Sequence, residues 1–145
     1  MRNDKTTDRT ATLVGILHKW QGLEDATVTQ TTAIIEKTHN PLIRTVMEII
    51  RSDSQMHKRV QQVMLDGLEK QAFSLTPEEL GDIWDMVERH AEMERETIRL
   101  AEEARKSCRL FVHRHLLSYL LDDERKHDRL LTDLEDFKRG IYPYA

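Results

Sequence analysis

The chain has 145 residues, 39% of them apolar and 33% charged, with five glycines and three prolines. That length suits one domain with one core, and so few turn-forming residues point to long helices rather than a β-sandwich. A net charge of −4 offers no basic face for nucleic acid, and Cys108, the only cysteine, excludes an intrachain disulfide and any cysteine-built zinc or rubredoxin-like centre.

The first residues, Met1-Arg2-Asn3-Asp4-Lys5, are polar and lack the apolar run of a signal peptide. No apolar stretch is long enough to span a bilayer, so the expectation is a cytoplasmic protein without a membrane partner. The first helix is expected from Thr7 or Asp8 to about Thr38. Its apolar stripe (Leu13, Ile16, Leu17, Trp20, Leu23, Val28, Thr31, Ile34, Ile35) has the spacing of three and four that marks an amphipathic helix. His39-Asn40-Pro41 ends it, because the residue before a proline resists helical geometry and proline suits the first position of a new helix.

The second helix is expected from Pro41 to about Lys70, with Ile43, Val46, Met47, Ile50, Ser54, His57, Val60, Met64 and Leu68 on one stripe. Thr76-Pro77-Glu78-Glu79 signals the next start: Thr76 can cap, Pro77 fits the first helical position and Glu79 completes a capping box. The third helix is expected from Pro77 to about Ser107, and Gly81 with Ile83-Trp84 leaves room for a short separate turn before the main rod. The fourth is expected over about Arg109 to Lys138, with Val112, Leu116, Leu117, Leu120, Glu124, His127, Leu131 and Leu134 facing inward; the tail from Gly140 is too short for a fifth. Helices of about thirty residues are about 45 Å long, and four such stripes predict a four-helix bundle in a single domain spanning 1–145.

A repeat organises the four helices. Glu24 and His57 recur as Glu94 and His127 at the same separation of 33 positions. Thr27/Thr97, Val28/Ile98, Val46/Leu116, Ile50/Leu120, Asp53/Asp123, Arg59/Arg129 and Met64/Leu134 follow the same shift. The bundle therefore reads as two similar hairpins, about 8–70 and about 77–138.

The stripes place Glu24, Ser54, His57, His90, Glu94, Glu124 and His127 inward. A buried carboxylate without a partner costs several kcal/mol or shifts its pKa until it is neutral. Glu124 and His127 are three apart on one face and can converge on a cation. Carboxylate and imidazole donors suit iron, manganese or zinc. A single histidine on an apolar stripe is more often a hydrogen-bonded core residue than a ligand. The recurrence of a Glu and a His at equivalent positions is what singles these residues out.

This pattern resembles the ferritin-like superfamily, nearest to rubrerythrin-type domains, in which the first and third helices each supply one Glu and the second and fourth each supply Glu-x-x-His. The resemblance implies that Glu24 and Glu94 are the single-helix ligands, that Glu124 and His127 are the full motif within Asp122-Asp123-Glu124-Arg125-Lys126-His127, and that His57 is the histidine of the second helix. The chain departs from the family at Ser54-Gln55-Met56-His57, where serine replaces a bridging glutamate and cannot bridge two cations. His90, one turn before Glu94, is a candidate replacement, and its counterpart in the first hairpin is Trp20. An altered dimetal centre, a mononuclear centre and a centre that has lost its metal are all compatible with these residues.

A second departure is the link between the hairpins, where about eight residues reach at most about 30 Å. Residues 77–87 belong to the crossover, the hairpins are exchanged between two chains, or the bundle is a plain up-down-up-down one. Trp84, Leu110 and Phe111 supply apolar excess for a homodimer. The family implies iron, with oxidation of ferrous iron or reduction of oxygen or peroxide, and electrons from iron or another protein. The contrasting expectation is a metal-free helical interaction or scaffold module, with Ser54 marking decay of the centre. A hemerythrin-like centre would need more core histidines. Glu36-Lys37-Thr38-His39 reads as a helix end, His18 has no partner at matched spacing, His113 and His115 lie near the second hairpin turn with His113 able to face the bundle end and His115 expected to face water, and Cys108 reads as a small core residue.

Overall fold

The structure, a computed structural model, describes residues 2–141, with side chains from 6 to 140. Every element among them is an α-helix: α1 (Arg2–Lys37), α2 (Pro41–Glu69), α3 (Pro77–Gly81), α4 (Trp84–Ser107) and α5 (Phe111–Ile141). The chain divides into two compact units, Met1–Phe73 and Ser74–Ala145. The first is the hairpin of α1 packed along α2; the second is α3 followed by the hairpin of α4 packed along α5. No helix among the described residues is long and apolar enough to cross a membrane.

The all-α class and the two helical hairpins follow the sequence expectation, and two boundaries differ. The first helix begins earlier than Thr7. The expected third helix is two helices, making five rather than four. Thr76 opens α3 as expected: its hydroxyl accepts from the Glu79 backbone N–H at 3.2 Å, and Glu79 Oε2 accepts from the Thr76 backbone N–H at 2.8 Å. Gly81, a poor helix former, then ends α3. Trp84 fixes the new start. Its indole N–H donates to Glu88 at 3.0 Å, and Lys138 from α5 lies over its ring, 4.1 Å from the centroid. The end of the chain beyond Ile141 lies outside the described residues.

The two hairpin turns are built alike, seventy positions apart. α1 ends at Lys37 and α2 begins at Pro41; α4 ends at Ser107 and α5 begins at Phe111. In the first turn Arg44 Nη1 donates to the carbonyls of Ile35 at 2.7 Å and Thr38 at 3.3 Å. In the second, Arg114 Nη1 donates to the carbonyls of Arg105 at 3.3 Å and Cys108 at 3.0 Å. Both arginines satisfy carbonyls that a helix end leaves without an intrahelical partner. The turns differ at the cap. Asn40 Oδ1 accepts from the Leu42 and Ile43 N–H groups at 3.0 and 3.2 Å, whereas Leu110 has no side-chain acceptor to offer.

Burial is confined mostly to the seam between the two helices of each hairpin, with Leu80 of α3 added in the second unit. Leu17, Ile35 and Leu65 are buried in the first unit, and Leu80 and Leu121 in the second. Glu24, Thr31, Ser54, Gln61 and Glu94 are buried beside them. Thr31 is satisfied by its own helix, donating to Thr27 O at 2.8 Å and Val28 O at 3.1 Å. Much of the stripe expected to face inward is open: Ile16, Trp20, Leu23, Val60 and Leu120 are all exposed. A seam of two helices is narrower than the apolar arc, so residues flanking it are left uncovered.

Candidate metal centre

In the second unit, Glu94 stands in the middle of α4 and is only 8% exposed. Glu124 and His127 project from α5, one turn apart and both half-buried. One donor atom from each of Glu94, Glu124 and His127 lies within 4.8 Å of the other two. His127 Nδ1 is 3.6 Å from Glu94 Oε1 and 3.5 Å from Glu124 Oε2, and its other ring nitrogen is 3.5 Å from Asp123 Oδ2. Three anionic or neutral donors therefore converge on one point, and Asp123 stands on the far side of the imidazole.

His90, one turn before Glu94, places Nε2 3.0 Å from Glu94 Oε1. It is attached to the same carboxylate rather than to the triad itself. Asp123 also pairs with Lys126, three residues on. The Glu124 carboxyl is pushed above its usual range. Its hydrogen bond with Glu94 is the largest cause, followed by partial burial and the repulsion of the Glu94 charge, while His127 pulls the other way. Two carboxyl groups at contact without a cation hold a proton more tightly than either would alone.

In the first unit the equivalent pair is Glu24, 7% exposed, on α1 and His57 on α2. His57 Nδ1 is 3.3 Å from Glu24 Oε1, the same pair of atoms that His127 and Glu94 bring together. Ser54, buried, occupies the place of Glu124, and a cavity of about 490 Å³ lies against Glu24, Asp25, Ser54 and Lys58. Lys58 closes on Asp25 at 2.7 Å. This hairpin offers one carboxylate and one imidazole where the other offers two carboxylates and one imidazole.

The structure thus brings together Glu94, Glu124 and His127, links His90 to Glu94, and pairs Glu24 with His57. The side-chain directions expected from the stripe hold for Glu24, Ser54 and Glu94, which are buried, but not for His57 and His90, whose side chains are 56% exposed. Both histidines flank the seam instead of entering it. Sequence reading missed Asp123 as a neighbour of His127. Its spacing of four residues on one helix was the available signal. The residues set aside stay apart from the cluster: His18, His39, His113 and His115 are exposed, with His115 meeting the Phe111 ring edge-on at 4.7 Å. Cys108 is half-buried in the turn, not in a core.

Comparison of the chain with protein-family models, with curated proteins and with solved structures finds no match.

Proposed function

We propose that this chain binds a transition-metal ion through Glu94, Glu124 and His127, in a ferritin-like four-helix bundle of two repeated hairpins. The observation that carries the reading is the convergence of these three donors within 4.8 Å on two facing helices. The donor set fits the group: two carboxylates and an imidazole suit iron, manganese or zinc, and the raised Glu124 pKa records an electrostatic cost that a cation would relieve. Glu94 and Glu124 would supply charge and His127 a neutral nitrogen. His90 would fix Glu94 from outside the donor set or join it as a ligand, and Asp123 would orient the His127 ring. The ferritin-like reading assigns Glu24 and His57 to the same centre, with Ser54 in place of a bridging carboxylate, so that one ion or an altered pair is held.

Iron, when bound, would supply one-electron chemistry for oxidising ferrous iron or reducing oxygen or peroxide. The chain would act in the cytoplasm as a homodimer, with exposed Leu110 and Phe111 among the residues covered. Electrons would come from ferrous iron or a partner protein.

A second reading is a metal-free helical interaction module. Ser54 in the place of Glu124 and the exposed apolar flanks of each hairpin favour it. Metal analysis of tag-free protein, followed by ferrous titration under air with oxygen uptake, separates the two. The metal-binding reading predicts that bound metal falls to background in Glu124→Ala and His127→Ala. Protein that takes up no transition metal, with both variants at least as stable as the parent, would leave the interaction module as the function.

A further inference from the structure

In the second hairpin, running from its turn along α5 to Arg125 beside Glu124, lies an open-sided cavity of about 370 Å³ lined by Glu102, Arg105, Lys106, Arg114, Leu121 and Arg125. Four cations face one carboxylate there, in a chain whose net charge is −4. We propose that this cavity binds a phosphate monoester.

Helix-end electrostatics explain part of the cluster. Arg105 and Lys106 sit in the last turn of α4, where cations complement the helix dipole, and Arg114 Nη1 caps the carbonyls of Arg105 and Cys108. That account does not reach Arg125, which comes from α5, about three turns beyond Arg114. It also does not explain what the repeat exposes. Seventy positions earlier the same places hold Thr32, Ile35, Glu36, Arg44, Arg51 and Gln55. Ile35 is buried in its seam, and its counterpart Arg105 is exposed on the cavity wall. Glu36 is replaced by Lys106 and Gln55 by Arg125, while Thr32 gives way to Glu102 and Arg51 to Leu121, so the charge of these six places rises from +1 in the first hairpin to +3 in the second.

The wall suits an oxyanion. Arg114 uses Nη1 on the two carbonyls, which fixes the guanidinium while leaving further N–H donors in its fork. Among the described residues no ion-pair partner is found for Arg105 or Lys106. Arg125 is held by Glu102 Oε1 at 3.0 Å. Arginine forks bind phosphate bidentately, and two positioned guanidinium groups with a lysine match a doubly charged phosphate ester. The volume falls within the range of small-molecule sites. Glu102 is the one unfavourable element, since it repels an anion and occupies Arg125.

The test is calorimetric titration of the full chain at fixed ionic strength with glycerol 3-phosphate, and flotation with vesicles containing phosphatidic acid, which present the same phosphate chemistry in solution and on a lipid surface. Saturable binding of glycerol 3-phosphate identifies a soluble ester. Binding to the vesicles alone, lost in Arg105→Gln and Arg125→Gln, identifies a lipid headgroup. Either arm should weaken by about tenfold in each of those variants, as expected for loss of one charge-assisted contact, and should strengthen in Glu102→Gln, which removes the competing carboxylate. Arg89→Gln, on the same helix but off the cavity wall, should change nothing. Absence of saturation in both arms by about 20 mM phosphate, an equal loss in Arg89→Gln, or weaker binding in Glu102→Gln would overturn the proposal. Helical circular dichroism of each variant confirms that the hairpin is intact.

Discussion

Glu124 is a side chain whose protonation depends on its neighbours. Its pKa is raised by the hydrogen bond with Glu94, by partial burial and by the Glu94 charge. A carboxyl whose folded pKa lies above its unfolded value adds stability that is fully present below the unfolded value and is lost as pH rises through the folded one. The metal-free protein should therefore lose stability as pH rises from the acid side through the titration of Glu124. Glu124→Gln should leave stability nearly unchanged in acid and raise it at neutral pH, which urea unfolding of the apoprotein at the two pH values measures. Equal stability of the two proteins at neutral pH would show that the Glu94 contact is absent in solution. Metal affinity should follow the opposite course and rise with pH, because ligation requires the carboxylate.

Gln61 presents a second residue-scale test. Its Oε1 is buried in the first unit without a hydrogen-bond partner among the described residues, and its counterpart seventy positions on is Leu131. An unsatisfied buried polar atom costs about 1–3 kcal/mol. Gln61→Leu, which copies the second hairpin, is expected to stabilise the protein by about 1 kcal/mol, read as a higher midpoint in urea unfolding. A lower midpoint would indicate that the amide is satisfied by ordered water.

At the scale of elements, the two turns share a cap from α2 or α5 to the preceding helix but not the N-terminal cap of the following one. Asn40 satisfies two backbone N–H groups of α2, while exposed Leu110 satisfies none of α5. Leu110→Asn should therefore stabilise the second hairpin by about 1 kcal/mol, a usual value for a restored cap. Thermal unfolding followed by circular dichroism checks it, and no rise in midpoint would mean that water already serves those N–H groups.

The elements also show which signals in the sequence act locally. Asn40-Pro41 and the Thr76-Pro77-Glu79 box were legible because capping involves neighbours in the chain. The break between α3 and α4 was legible only as room for a turn, because Lys138, which lies over Trp84, comes from a distant helix. The capping arginines were open to reading, since Arg44 and Arg114 obey the seventy-residue shift, but their role depends on carbonyls nine and six residues back across a turn. Periodicity assigned His57 and His90 to the interior. It gives the direction of a side chain and not the width of the seam it meets, and both stay exposed.

Across the whole molecule, one hairpin design occurs twice with different chemistry. Both copies bring a glutamate Oε1 to a histidine Nδ1, at 3.3 Å in the first and 3.6 Å in the second. Only the second adds Glu124, and only the second converts a buried isoleucine position to Arg105 beside a cationic cavity. The repeat was readable as residue matches, and so was the replacement of Glu124 by Ser54. The charge cluster at the turn was not, because Arg105 and Arg125 lie on different helices and come together only when α4 packs along α5.

The most direct measurement is a cobalt titration under argon, following the visible absorption of the ion as carboxylate and imidazole donors replace water. The parent protein should give a saturable absorption change, and Glu94→Gln, Glu124→Gln and His127→Ala should each weaken binding by about tenfold or more, in the range seen when a ligand or its support is lost. Cobalt binding that is unchanged in all three variants, or no absorption change in the parent, would contradict a metal centre built on Glu94, Glu124 and His127.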